Sequence, residues 1–140
     1  MAGLIQDNFV PVKIHVKENP AAFERFGAQW TPTVIIDDPE GTERYRFEGY
    51  LPPDEFMAQL ELGLAKTAFA KNDFAKAERL YRDIVQRFRT SAAAPEALYW
   101  AGVSKYKATN DAAALKDTAE AFRTQYSDSQ WAKKASVWAG

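Results

Sequence analysis

Trp30-Thr31-Pro32-Thr33-Val34-Ile35-Ile36-Asp37 decides how this chain is read. A proline-centred turn delivers the backbone directly into a run of β-branched residues, whose side chains suit a pleated, half-buried surface. That places a strand over Thr33 to Asp37. The next four residues, Asp38-Pro39-Glu40-Gly41, are turn formers, with proline presetting φ and glycine closing the loop. The following run, Arg44 to Tyr50, therefore returns as the second strand of a β-hairpin. Along it Tyr45, Phe47 and Gly49 face one way, and Arg44, Arg46, Glu48 and Tyr50 the other. Pro52-Pro53-Asp54-Glu55 then opens a helix, with proline in its first turn and acids at the positive end of its dipole.

Upstream, Val10, Val12, Ile14 and Val16 alternate with Pro11, Lys13 and His15, the period-2 signature of a strand with one wetter face. Pro11 lacks an amide hydrogen and marks an edge or the strand's first residues. Glu18-Asn19-Pro20 reads as a helix start, with Asn19 as cap and Pro20 at the first helical position. Ala21, Phe23, Phe26 and Trp30 carry its apolar stripe, and Gly27 suits its end.

The order strand, helix, proline turn, hairpin, helix resembles the second half of a thioredoxin fold over roughly residues 4 to 62. The likeness rests on Trp30-Thr31-Pro32-Thr33, on the Asp-Pro-Glu-Gly turn and on Phe47-Glu48-Gly49-Tyr50 before the last helix. It implies a cis Thr31-Pro32 bond and a loop whose backbone grips an extended peptide. Trp30, Thr31, Pro32 and Thr33 are thus the candidate peptide-binding residues. The redox half of that fold has no counterpart here, and only Ala2-Gly-Leu-Ile-Gln matches the tail of its active-site helix. Since the family's central strand lies between those corresponding to Val10–Val16 and Thr33–Asp37, its absence leaves unpaired edges open to other chains. The strands are expected to close into a three-stranded sheet, or to be completed by a second protomer.

From Pro53 onward the pattern is helical and repeated. Phe56, Met57, Leu60, Leu64, Ala68 and Phe69 form one apolar stripe, and Phe74, Ala77, Leu80, Tyr81, Ile84, Val85 and Phe88 the next, both at helical spacing. Asn72-Asp73 is the turn between them. A shift of 38 residues superposes Asn72-Asp73 on Asn110-Asp111, Ser91 on Ser129, Ala94 on Ala132, Ala97 on Ala135 and Trp100-Ala101-Gly102 on Trp138-Ala139-Gly140. Such a period signals stacked helical hairpins. Helices are expected over Pro95–Ala108, Ala112–Tyr126 and Gln130–Ala139, giving about two and a half hairpins. The stretch resembles tetratricopeptide repeats: Ala77 and Tyr81 match the small-then-aromatic spacing of the second helix, and Leu98-Tyr99-Trp100-Ala101-Gly102 the first. Arg89, Ser127 and Ala119 depart from that pattern. The fold class expected is therefore α/β plus all-α, a truncated thioredoxin-like β-α-β-β-α unit (residues 1–62) followed by tetratricopeptide-like hairpins (residues 54–140) that share the helix from Pro53.

Composition narrows the chemistry. The chain has no cysteine and one histidine, His15, so disulfide chemistry, thiolate catalysis and cysteine-based zinc sites have no residues to use. No catalytic, cofactor-binding or metal-binding residue is assigned, and no cofactor is expected. Eighteen basic and nineteen acidic side chains balance to a net charge of −1 and interleave throughout, which gives no footprint for nucleic acid or an anionic membrane. No apolar run nears the roughly 20 residues that span a bilayer, and the start lacks the features of a signal peptide. The cytoplasm is the expected location.

Individual candidates read mostly as structure. His15 has no acid, nucleophile or metal partner in the pattern. Asp37, Asp38 and Glu40 read as a solvated turn. Trp30 either lines a binding surface or plugs the core, and both readings stand open. Trp100, Trp131 and Trp138 fit helix packing, since Trp100 and Trp138 share a repeat position. Arg79, Arg82, Arg87 and Lys76 interleave with Glu78 and Asp83 as a solvated, salt-laced face. The expected function is a non-catalytic protein-interaction or scaffold module that binds a protein or peptide, or itself as a homodimer. The alternative is a truncated thiol-disulfide oxidoreductase whose Cys-x-x-C lies upstream.

Overall fold

The computed structural model describes residues 1–140. Two short helices, α1 (Ala2–Asn8) and α2 (Pro20–Arg25), precede a hairpin of β1 (Thr33–Asp37) and β2 (Glu43–Glu48). Helices α3 (Pro53–Ala70), α4 (Phe74–Arg87), α5 (Ala93–Thr109), α6 (Ala113–Thr124) and α7 (Gln130–Ala135) follow, and a 3-10 turn over Ser136–Trp138 comes last. Local chemistry sets the ends. The Asn19 side chain accepts from the Ala22 amide at 3.1 Å, Asp73 from Lys76 at 3.3 Å and Ser129 from Ala132 at 3.1 Å, each satisfying a first-turn donor. Gly27 at φ +63 carries the chain out of α2.

The sheet is two-stranded and antiparallel, Val34 opposite Phe47 and Ile36 opposite Tyr45, with an irregularity between Ile36 and Asp37. The expected strand over Val10–Val16 is absent. A strand persists as part of a ladder, and no neighbour lies alongside this segment: Val10 is 92% and Val12 79% exposed. The expected three-stranded sheet is corrected accordingly, and the first β of the β-α-β-β-α unit is extended chain. Among the helices, the structure ends α6 at Thr124 and finishes α7 in a 3-10 turn, where the periodicity predicts helix to Tyr126 and Ala139.

Helix α3 packs on both sides. One side receives the hairpin: Ile36 lies so close to Gly63 that a Cβ there would sit 2.1 Å from its Cδ1. The Tyr45 hydroxyl bonds Gln59, and Phe47 meets Phe56 edge-on at 5.6 Å. The other side joins α4 and α5 in the main core, where Ala58, Leu62, Ala65, Ala77, Tyr81, Ile84, Ala97 and Ala101 are buried. Contacts between Phe69 and Phe74 across the first turn, and between Glu61 midway along α3 and Arg87 at the end of α4, show α3 and α4 running antiparallel. Burial pushes the Glu61 carboxyl above its ordinary value, against the pull of Arg87. Stability from a raised carboxyl is complete below its unfolded pKa and is lost as pH rises through the folded one.

The 38-residue shift survives in three dimensions. Asn72 and Asn110 both adopt left-handed φ, +62 and +57, a conformation that asparagine tolerates. Ala97 and Ala135 are both fully buried. Tyr99 lies against Trp100, Trp131 and Trp138, with ring centroids 5.3, 5.2 and 4.7 Å away, so these tryptophans serve helix packing. Where α5 meets α6, a Cβ on Gly102 would sit 2.0 Å from Thr118 Oγ1 and 2.7 Å from its Cβ. Thr118 is buried and donates to the Ala114 carbonyl at 2.7 Å, so it has no room to yield. At Gly63 the opposing atom is the terminal methyl of Ile36, the far end of a side chain that can turn about its outer bond. Gly102→Ala should therefore destabilise by about 1–3 kcal/mol through overpacking, whereas Gly63→Ala, helped by better helix propensity, should cost about 1 kcal/mol or less. Urea denaturation of both variants measures the difference.

Candidate binding cleft

The proline turn is built by short-range bonds. The Thr31-Pro32 peptide is cis, in line with the expectation above. Thr33 Oγ1 donates to the Trp30 carbonyl at 2.5 Å, and the Gly49 amide donates to the Pro32 carbonyl at 2.8 Å, tying the turn to the end of β2. Gly49 sits at φ +90, where a side chain would be strained. Trp30 is 63% exposed, so it does not plug the core. The four residues Trp30, Thr31, Pro32 and Thr33 all line one cleft of about 1390 Å³.

That cleft runs along β1 on the side away from β2. Thr33, Ile35, Ile36 and Asp37 of β1 contribute to it and no residue of β2 does; the segment with Val10, Val12 and Ile14 also lines it, as do Phe23 of α2 and Phe26 at the C-terminal cap of that helix. Arg46 holds α2 in place by donating from Nη2 to the Phe26 carbonyl at 2.7 Å. His15 lines the cleft, but its Nδ1 accepts from the Lys17 amide at 3.2 Å, a local turn contact. No group of three or more His, Asp or Glu side chains converges to ligand a metal. Chemically the cleft offers apolar surface and unpaired backbone, which suits binding of a chain segment; its volume exceeds the ~300–1,000 Å³ of small-molecule pockets.

Asp38 corrects the reading of a solvated turn. It is buried, at 6% exposure. Its Oδ1 accepts from the Glu40 and Thr42 amides at 3.0 and 2.9 Å, and its Oδ2 from Arg44 Nε at 2.8 Å. The Thr42 amide, with Arg44 and Glu40 in support, holds the carboxyl below its ordinary value despite the opposing effect of burial. The Asp-Pro-x-Gly pattern signals an Asx-type turn, yet the burial of its carboxylate depends on Arg44 folding back. Glu55 is a second residue whose part only the fold reveals: its carboxylate accepts from the Ala92 amide at 3.1 Å, capping α5 from 37 residues away.

Residues 2–64 match the family model of a thioredoxin-like domain. The match covers 63 of the 140 residues. No curated protein and no solved structure shows significant similarity to the chain. The thioredoxin-like match contains the proline turn, the whole cleft apart from Thr67, and α3 as far as Leu64. None of the helices is long and apolar enough to cross a membrane.

A lowered carboxyl supplies stability that is present above its unfolded pKa and lost as pH falls through the folded one. Asp38→Asn should lower the melting temperature at neutral pH and flatten the acid limb of the stability curve. Thermal melts of both proteins from neutral pH down to the acid range measure this.

Proposed function

We propose that the chain is a non-catalytic protein-interaction module, in which the thioredoxin-like cleft takes an extended polypeptide and tetratricopeptide-like hairpins extend the scaffold. The observation that carries this reading is Trp30, exposed beside the proline turn at the mouth of a large apolar cleft. Exposed aromatics of this kind are common anchors at protein interfaces. The chain has no thiol, so the cleft can hold a substrate-like segment without reacting with it. The helical repeat and its paired left-handed asparagines support the tetratricopeptide-like assignment of the remainder, and stacked arrays of that kind present concave surfaces to peptides.

Peptides selected by phage display against the purified chain provide the test. Trp30→Ala should weaken their binding in calorimetry by roughly tenfold, about 1.4 kcal/mol. Equal affinity for the variant and the parent would remove the proline turn from the binding surface.

A second reading is favoured by the family match at residues 2–64: the same cleft belongs to a thiol-disulfide oxidoreductase whose Cys-x-x-C segment is encoded upstream. Genomic sequence ahead of Met1 separates the two. An in-frame strand followed by Cys-x-x-C, with insulin-disulfide reduction by the extended chain and none by the 140-residue chain, is the outcome this second reading requires.

A further inference from the structure

Two parts of the molecule are unpaired in complementary ways. The first is the outer edge of β1. The Gly49 amide bonds the Pro32 carbonyl, and Pro32 stands opposite Gly49 when the pairing of Thr33 with Glu48 is continued by one residue. Because bonded and non-bonded pairs alternate along an antiparallel ladder, Val34 and Ile36 direct their backbone groups to β2. Thr33 and Ile35 direct theirs into the cleft, where they have no backbone partner. The second part is the segment after α1. Residues Val10 to Ile14 make no hydrogen bond, backbone or side chain, although their alternation is that of a strand. Val10, Val12 and Ile14 are three of the seven large apolar side chains the chain exposes.

We infer that the segment Phe9–Val16 of one copy adds as a parallel strand to the open edge of β1 in a second copy, and reciprocally, closing a symmetric dimer. Three features select this geometry. Pro11 has no N–H, so the competent edge of the segment is the one carrying the amides of Val10, Val12 and Ile14. Parallel addition through that edge places Val12 and Ile14 on the same face as Val34 and Ile36, extending the apolar layer over α3. It also places Lys13 on the face of Asp37, a basic side chain toward an acidic one. Antiparallel addition through the same edge would put Lys13 on the apolar face.

The occupant is a second copy because the chain's own segment lines the cleft without pairing with β1. Arg46 clamps the end of α2 through the Phe26 carbonyl, and α2 lies between the segment and β1 in the chain. A second copy's segment reaches the edge with that clamp intact, an exchange of identical elements that closes as a pair. The outward edge left on the added strand contains Pro11, which blocks further growth of the sheet. This inference deepens the interaction-module reading, since the second copy's segment enters the same cleft, but it rests on the β1 edge and not on the proline turn.

Sedimentation velocity on the full chain over a concentration series, combined with hydrogen exchange of the Ile35 amide, tests it. The expected result is a dimer whose dissociation on dilution exposes the Ile35 amide. Val12→Asp, at a site exposed in the single chain, and Ile35→Pro, which removes the outward amide and leaves the bonds of β1 to β2 in place, should each yield a monomer with unchanged far-UV circular dichroism. A monomer at every concentration overturns the inference, as does a dimer that persists in both variants. Protection of Ile35 in a monomer also overturns it, by showing that the chain's own segment closes on the edge. Foreign-peptide binding that is unchanged in Trp30→Ala, with the dimer mass retained, counts against the module reading alone.

Discussion

Helix α3 must be a core element for two different neighbours at once, and the rest of the structure follows from how its residues meet that demand. A helix buried on one face carries a polar stripe on the other; one buried on two sides is apolar nearly all round. Between Ala58 and Ala68, α3 buries Ala58, Leu60, Glu61, Leu62, Gly63, Ala65 and Ala68. Small residues let both neighbours come close: Gly63 admits Ile36 from the hairpin, and Ala58 and Ala65 admit α4 and α5. The charged positions on this helix reach outward to both partners. Lys66 lies 4.5 Å from the Tyr45 ring centre and bonds Glu96 of α5 at 2.7 Å. Burial, with Glu96 nearby, pushes the Tyr45 hydroxyl up to about 12, so it stays a neutral donor to Gln59 at physiological pH.

Much of this was legible in the residues because it depended on neighbours close in sequence. Asn19, Asp73 and Ser129 announce helix starts, Asp38 to Gly41 a turn, and the repeat of Asn-Asp a second hairpin. The shared helix was legible too, from apolar residues that continue past the length a single interface needs. What failed was the strand over Val10–Val16. Alternation records a capacity to pair, while pairing needs a partner edge at hydrogen-bond distance, and sequence pattern is silent on that. Asp38 failed for a related reason: its burial is set by Arg44, six residues on, folding back over it.

The candidate cleft was half legible. Trp30 to Thr33 could be named from the turn, and the structure places all four on one surface. Its second wall could not be named, because Val10, Val12 and Ile14 read as core residues of a sheet. They line the cleft because the ladder they were patterned for is missing. The same substitution of roles leaves the outer edge of β1 open along the cleft.

The Glu55 carboxylate on the Ala92 amide has a consequence for how such chains are recombined. Helix α5 carries no cap of its own, since Ala92 stands at its N-cap position, and the group that completes it belongs to the thioredoxin-like domain. The family match stops at Leu64, within α3, whereas Lys66 and Ala68 beyond that point hold the helical part. A gene fusion that exchanged either portion at that boundary would cut the helix and orphan a helix terminus as well. A transferable cassette therefore has to run from the hairpin through α3 and α4 to the start of α5.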